Sequence, residues 1–122
     1  MAESKFSIGD KSKTLLTQVL DFTTDRRKFP VKFRNLIDAI QKCALSIHCD
    51  ALSANGITTN TQKRKDDRYD LQTSVVSNCE ILLSLIEISL RKGLISAATG
   101  ETWSGLTTDI KYMTLAWRNK SS

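Results

Sequence analysis

Proline and histidine each occur once in this chain, cysteine three times and glycine five times. Each scarcity excludes something. One proline leaves long stretches with nothing to break a helix, and Gly9, Gly56, Gly93, Gly100 and Gly105 are too scattered to form a phosphate-cradling loop. Cys43, Cys49 and Cys79 are odd in number and contain no C-x-x-C pair, which argues for reduced, packed thiols rather than a disulfide framework. His48 lies beside Cys49 and near Cys43, but spacing along one helix does not bring the three onto one face. Zinc sites normally need four convergent ligands, so no metal is expected. Neighbouring helical residues point about 100° apart, which also disqualifies His48 and Cys49 as a catalytic pair. Asp66, Asp67 and Asp70 are explained by a helix dipole before acid–base chemistry. The expectation is a protein that is no enzyme and holds no cofactor. No unbroken apolar run reaches the about 18 to 20 residues of a membrane span, and residues 1–10 lack the apolar segment of a signal peptide. A cytoplasmic protein with no membrane partner is expected.

What is present is helical periodicity. The chain has 122 residues, 40% hydrophobic and 25% charged, the composition of one ordinary globular domain. Leu71, Val75, Leu82, Ile86 and Leu90, flanked by Val76, Cys79 and Leu83, trace the wide apolar face of a core helix over residues 66–92. That is about 27 residues, about 40 Å at about 1.5 Å per residue. Gly93, with Arg91 and Lys92 before it and Leu94 after it, has the pattern of a helix stop. A helix over 97–119 follows, capped by Ser96 and carrying Trp103, Leu106, Ile110, Met113 and Trp117 at seam spacing. Both tryptophans are read as core or interface residues rather than base-stacking platforms.

Earlier in the chain, residues 1–10 are read as a flexible terminus and 11–120 as the domain. A first helix spans 12–24, capped by Asp10 or Ser12, with Leu15, Leu16, Val19, Leu20 and Thr23 inward. Pro30 is expected at the first position of a second helix over 30–54. Phe33, Leu36, Ile37, Ile40, Ala44, Ile47 and Ala51 mark its inner face, and Asn55-Gly56 ends it with residues tolerant of left-handed dihedrals. The segment 56–65 is read as a loop ending in Lys63-Arg64-Lys65.

Four helices joined by short connections predict an all-α, up-down-up-down antiparallel four-helix bundle. This topology sorts the positive charge, formally +5 in net, to the two ends. Arg26, Arg27, Lys28, Lys32 and Arg34 come near Arg91 and Lys92. Lys63, Arg64, Lys65 and Arg68 come near Lys11, Lys13, Arg118 and Lys120. Clustered Lys and Arg bind phosphates with a salt-dependent affinity and little sequence preference. Charge kept in solvent at bundle ends is the bland alternative. Phe22, Val31, Leu45, Leu52, Val76, Ile81, Ile88 and Leu115 fall outside the main apolar stripes, which predicts contacts between copies of the chain.

Several stretches also carry a family likeness. Phe29-Pro30 opening a long helix, the polar loop, the hinge Gly93-Leu94-Ile95-Ser96 and the tail Leu115-Ala116-Trp117 lie in the order found in a family of small four-helix bundles. From about Leu15 to Arg118 the chain resembles the accessory variability determinant proteins of diversity-generating retroelements and the ribosomal RNA intervening-sequence proteins. The resemblance implies a non-enzymatic accessory subunit, a homo-oligomeric ring that is a pentamer, with a positively charged surface. It further implies a reverse transcriptase as partner and a template RNA or RNA–DNA hybrid as ligand, in support of mutagenic cDNA synthesis. A structural homo-oligomeric adaptor with no nucleic-acid role is the other expectation.

Overall fold

The structure, a computed structural model, describes residues 6–25 and 27–121. Four helices carry the fold: α1 Ser7–Thr23, α2 Arg34–Asn55, α3 Gln62–Arg91 and α4 Ala97–Ser121, with a 3-10 turn at Val31–Phe33 before α2. Each packs on its neighbours in sequence, and α1 packs on α4 to close the square. Among the described residues no Cα of α1 comes within 8 Å of α3, nor of α2 within 8 Å of α4, so the diagonals meet only through side chains. This is the antiparallel up-down-up-down bundle.

The core is the set of side chains that the four stripes deliver to the centre: Leu15, Val19, Ile40, Ile47, Val75, Leu82, Ile86 and Ile110, all with at most 1% exposure. Burying each contributes about 1.5–3 kcal/mol. Leu20 and Leu90, expected inside, are exposed instead; Leu90 nevertheless covers Gly100 of α4. Polar side chains set the register between helices. Ser74 on α3 donates to Asp50 on α2 at 2.6 Å, and Gln41 on α2 donates to Thr23 on α1 at 2.8 Å. Gln72 is fully buried, and neither its side-chain oxygen nor its nitrogen has a hydrogen-bond partner among the described residues.

Several boundaries differ from the sequence expectation for identifiable reasons. α1 starts at Ser7, inside the segment read as flexible, because Ile8 is buried and Phe6 meets Trp117 edge-on at 6.2 Å. Neither Asp10 nor Ser12 caps it, and Phe6 stands at the cap position without a side-chain bond. Pro30 is extended at ψ 151° and precedes the 3-10 turn, so α2 begins at Arg34 and not at residue 30. Gly56 follows α2 with φ −80°, an ordinary helical value, so this end uses no left-handed residue. α3 begins at Gln62 because Thr61 accepts a hydrogen bond from the Arg64 backbone N–H at 3.2 Å. Lys63, Arg64 and Lys65 therefore sit on the first helical turn and not in a loop.

Two other ends agree with the expectation. Gly93 has φ +70°, the Leu94 N–H reaches the Ser89 carbonyl at 2.9 Å and the Gly93 N–H the Leu90 carbonyl at 3.0 Å, which is the Schellman pattern. Ser96 caps α4 by accepting from the Thr99 backbone N–H at 3.1 Å. α3 also contains an 18-residue window of mean hydropathy 1.4, apolar enough by length and composition to cross a membrane. Counting unbroken apolar runs misses this, because Ser77, Asn78, Glu80, Ser84, Glu87 and Ser89 interrupt the run. A core helix of a bundle passes the same test.

Candidate nucleic-acid interface

The topology does bring the predicted cations to two opposite ends of the bundle, separated by the length of α2, about 33 Å for 22 residues. The ends differ in how many of those cations are already engaged. At the first end Arg27 bonds both oxygens of Asp25 at 3.2 Å. Those side-chain bonds, with the Arg27 backbone N–H, hold the Asp25 carboxyl below its ordinary range and raise the Arg27 guanidinium. Lys28 lies 4.7 Å over the Phe22 ring and Lys32 5.4 Å over Phe33. Arg91 pairs with Glu87 at 2.8 Å. Arg34 and Lys92 are exposed, with no side-chain partner among the described residues. Arg26, the remaining candidate at this end, lies outside the described residues.

The second end is built by the first two turns of α3 and the last turn of α4. Lys63 pairs with Asp67 at 3.1 Å, while Gln62 donates to Asp66 at 3.0 Å. Arg64, Lys65 and Lys120 are exposed, and their side chains have no partner among the described residues. Three adjacent cations at a helix start oppose the helix dipole by about 0.3–1 kcal/mol each when exposed, and the first turn contains no acidic residue. Asp66 and Asp67 follow one turn later and Asp70 two turns later, and they offset part of this field.

Two of the predicted phosphate-binding cations turn out to hold the bundle together. Arg68 donates from Nε to the Ala54 carbonyl at 3.1 Å and from Nη2 to the Ile57 carbonyl, while its guanidinium stands 5.5 Å over the Trp117 ring. Arg118 donates to the Thr73 hydroxyl at 3.0 Å and stacks over Tyr69 at 4.9 Å. Both are therefore engaged by the fold in this structure.

No family model matches this chain and no curated protein matches it. A solved structure does: a protein of unknown function from the S23 ribosomal protein family of Bacteroides thetaiotaomicron VPI-5482, with TM-score 0.78. The match covers 94% of this chain and 97% of that one at 14% identity. The likeness is one of fold. At this identity it carries no residue roles.

The other singled-out residues find structural places. Trp103 is buried, edge-on to Phe22 at 5.4 Å, and Trp117 is half-buried. Cys43 and Cys79 are buried and Cys49 is exposed. Burial pushes the Cys79 thiol up to about 12, opposed in part by the Lys111 charge, with further upward contributions from Cys43 and Glu80. His48 Nδ1 meets the Ser12 hydroxyl at 2.8 Å, and that hydroxyl donates to the Gly9 carbonyl at 3.0 Å. Of the residues outside the main stripes, Val31, Leu45, Leu52, Ile81 and Ile88 are exposed, whereas Phe22, Val76 and Leu115 are partly covered. Tyr69 and Tyr112, exposed aromatics absent from the sequence-based candidates, join them.

Proposed function

We propose that this chain is a non-enzymatic accessory subunit that binds RNA through its basic ends, acting with a reverse transcriptase in a diversity-generating retroelement. The observation that carries the proposal is that each end presents exposed cations with no side-chain partner among the described residues, Arg34 and Lys92 at one and Arg64, Lys65 and Lys120 at the other. Unpaired cations on a rigid bundle attract phosphates and release counterions, which gives affinity with little sequence preference. The reverse transcriptase, the template RNA or RNA–DNA hybrid, and the cytoplasmic setting come from the family resemblance of Phe29-Pro30, the Gly93-Leu94-Ile95-Ser96 hinge and the Trp117 tail. The proposal includes a pentameric ring, for which the exposed Leu45, Leu52, Ile81 and Ile88 supply apolar surface on the outer sides of α2 and α3.

The adaptor reading has its own support. Asp25, Glu87 and Asp67 neutralise Arg27, Arg91 and Lys63, as expected of ends built for solubility. Exposed pairs of this kind contribute about 0–1 kcal/mol, so a phosphate displaces them easily. Purification from the host with bound material, followed by identification of the co-purifying RNA and protein, separates the two readings. An RNA together with a reverse transcriptase is the expected result. Recovery of the chain alone, free of nucleic acid, favours the adaptor.

A further inference from the structure

Tyr69 is the exposed aromatic residue of the second basic end, where Phe6 and Trp117 are half-buried, and it is 43% exposed. Its ring is not loose. The Arg118 guanidinium stands 4.9 Å from the ring centroid, and Arg118 is itself tied to Thr73, one turn further along α3, by the 3.0 Å hydrogen bond to the hydroxyl. Thr73, Arg118 and Tyr69 thus form one braced unit across the α3–α4 seam. A cation fixed against one face of a ring orients that ring at little further entropic cost. Lys65, four residues before Tyr69 and so on the same side of α3, is exposed and unpaired among the described residues, as are Arg64 on the same turn and Lys120 just beyond Arg118. Of the carboxylates nearby, Asp66 accepts from Gln62 and Asp67 pairs with Lys63, while Asp70, next to Tyr69 in sequence, is exposed with no side-chain partner among the described residues.

The other strongly exposed tyrosine offers a contrast. Tyr112 also has a cation near its ring, Lys111 at 5.4 Å, but that cation is neutralised by Glu80 at 3.3 Å. It lies on the shaft, away from the cation clusters. Trp117 at the same end also has a fixed cation over its ring, Arg68 at 5.5 Å, but it is half-buried; among the described residues Tyr69 is the exposed ring that shares a helix end with several free cations. Alternating aromatic faces and cations is the chemistry that holds single-stranded nucleic acid, because every base has a face to stack and every linkage a phosphate.

We propose that Tyr69, braced by Arg118, is a stacking platform for one unpaired base of single-stranded RNA whose flanking phosphates lie on Lys65 and Lys120. The inference rests on the nucleic-acid reading above and narrows it to one end, one strand state and one residue. Stacking on an aromatic ring is indifferent to base identity, so the site selects unpaired over paired RNA rather than one sequence over another.

The test compares a fluorescently labelled single-stranded RNA with a strand of equal length in which the bases are replaced by abasic tetrahydrofuran units. The full chain is used, as wild type, Tyr69→Phe and Tyr69→Leu, with helix content checked for each. Wild type and Tyr69→Phe are expected to bind the base-bearing strand about tenfold more tightly than the abasic one. Tyr69→Leu is expected to lose that preference while keeping its affinity for the abasic strand and its salt dependence. Equal affinity of wild type for both strands, or an undiminished preference in Tyr69→Leu, overturns the platform and leaves the phosphate-binding reading standing. Failure of wild type to bind either strand overturns both.

Discussion

Arg68 of α3 donates from Nε to the carbonyl oxygen of Ala54 near the end of α2, at 3.1 Å. A second bond, from Nη2 to the Ile57 carbonyl, lets one planar guanidinium satisfy two carbonyls where the α2 ladder runs out. Hydrogen bonds from a charged donor contribute about 1.5–3 kcal/mol. Replacing Arg68 by alanine is therefore expected to destabilise the bundle by about 2 kcal/mol, read as a lower urea midpoint at unchanged slope. Arg68→Lys is expected to recover less than half, since an ammonium is a point charge and not a fork. A midpoint unchanged in Arg68→Ala would return this residue to the pool of free cations.

Gly105 and Gly100 both lie in α4 but should respond oppositely to alanine. A Cβ at Gly105 meets nothing within 4 Å, so Gly105→Ala is expected to stabilise by about 1 kcal/mol through helix propensity alone. A Cβ at Gly100 comes to 2.8 Å from a Leu90 methyl. That methyl is the far end of a flexible, partly exposed side chain, so Gly100→Ala should gain less than Gly105→Ala or lose slightly. Thermal midpoints check the order, with Gly105→Ala about 4 °C above wild type.

The partly buried His48 makes part of the stability depend on pH. Burial, with a smaller effect from the Lys13 charge, holds His48 below its ordinary 6.5. The unfolded chain then takes up the proton more readily than the folded one, so this contribution is complete above about pH 6.5 and declines as pH falls through the depressed folded value. In urea titrations at pH 7.5 and 5.5, wild type is expected to lose more of its midpoint on acidification than His48→Gln does. Identical losses in the two proteins would place the pH dependence elsewhere.

The helical periodicity of the sequence is enough for the four helices and their antiparallel order, because the stripe through Val75, Leu82 and Ile86 has no competing period and Gly93 fits a left-handed stop. The helix starts are less legible. Thr61 is a good cap by residue type, but the Lys63-Arg64-Lys65 run that follows opposes the helix dipole and hides the first turn of α3. At Ser7 the decisive factor is the packing of Phe6 on Trp117, which joins opposite ends of the sequence and which no local pattern reveals. The basic ends are legible as composition and topology. Which cations the fold itself consumes is not: Arg68 and Arg118 differ from Arg64 and Lys120 only in what lies beside them across the bundle, namely the Ala54 and Ile57 carbonyls, Trp117, Thr73 and Tyr69.

The central claim is that the unpaired cations at the ends bind phosphate, and the salt dependence of RNA binding tests it most directly. Wild type is to be compared with Arg34→Ala/Lys92→Ala and, separately, with Arg64→Ala/Lys65→Ala/Lys120→Ala, at several salt concentrations and with helix content and assembly verified. Removing one phosphate-bound cation is expected to lower the slope of log affinity against log salt by about 0.7 for a single strand, so the triple variant should fall short of wild type by about 2 if all its cations touch phosphate. Equal affinities and equal slopes across the three proteins would contradict the account and leave these ends as solvated charge on an adaptor.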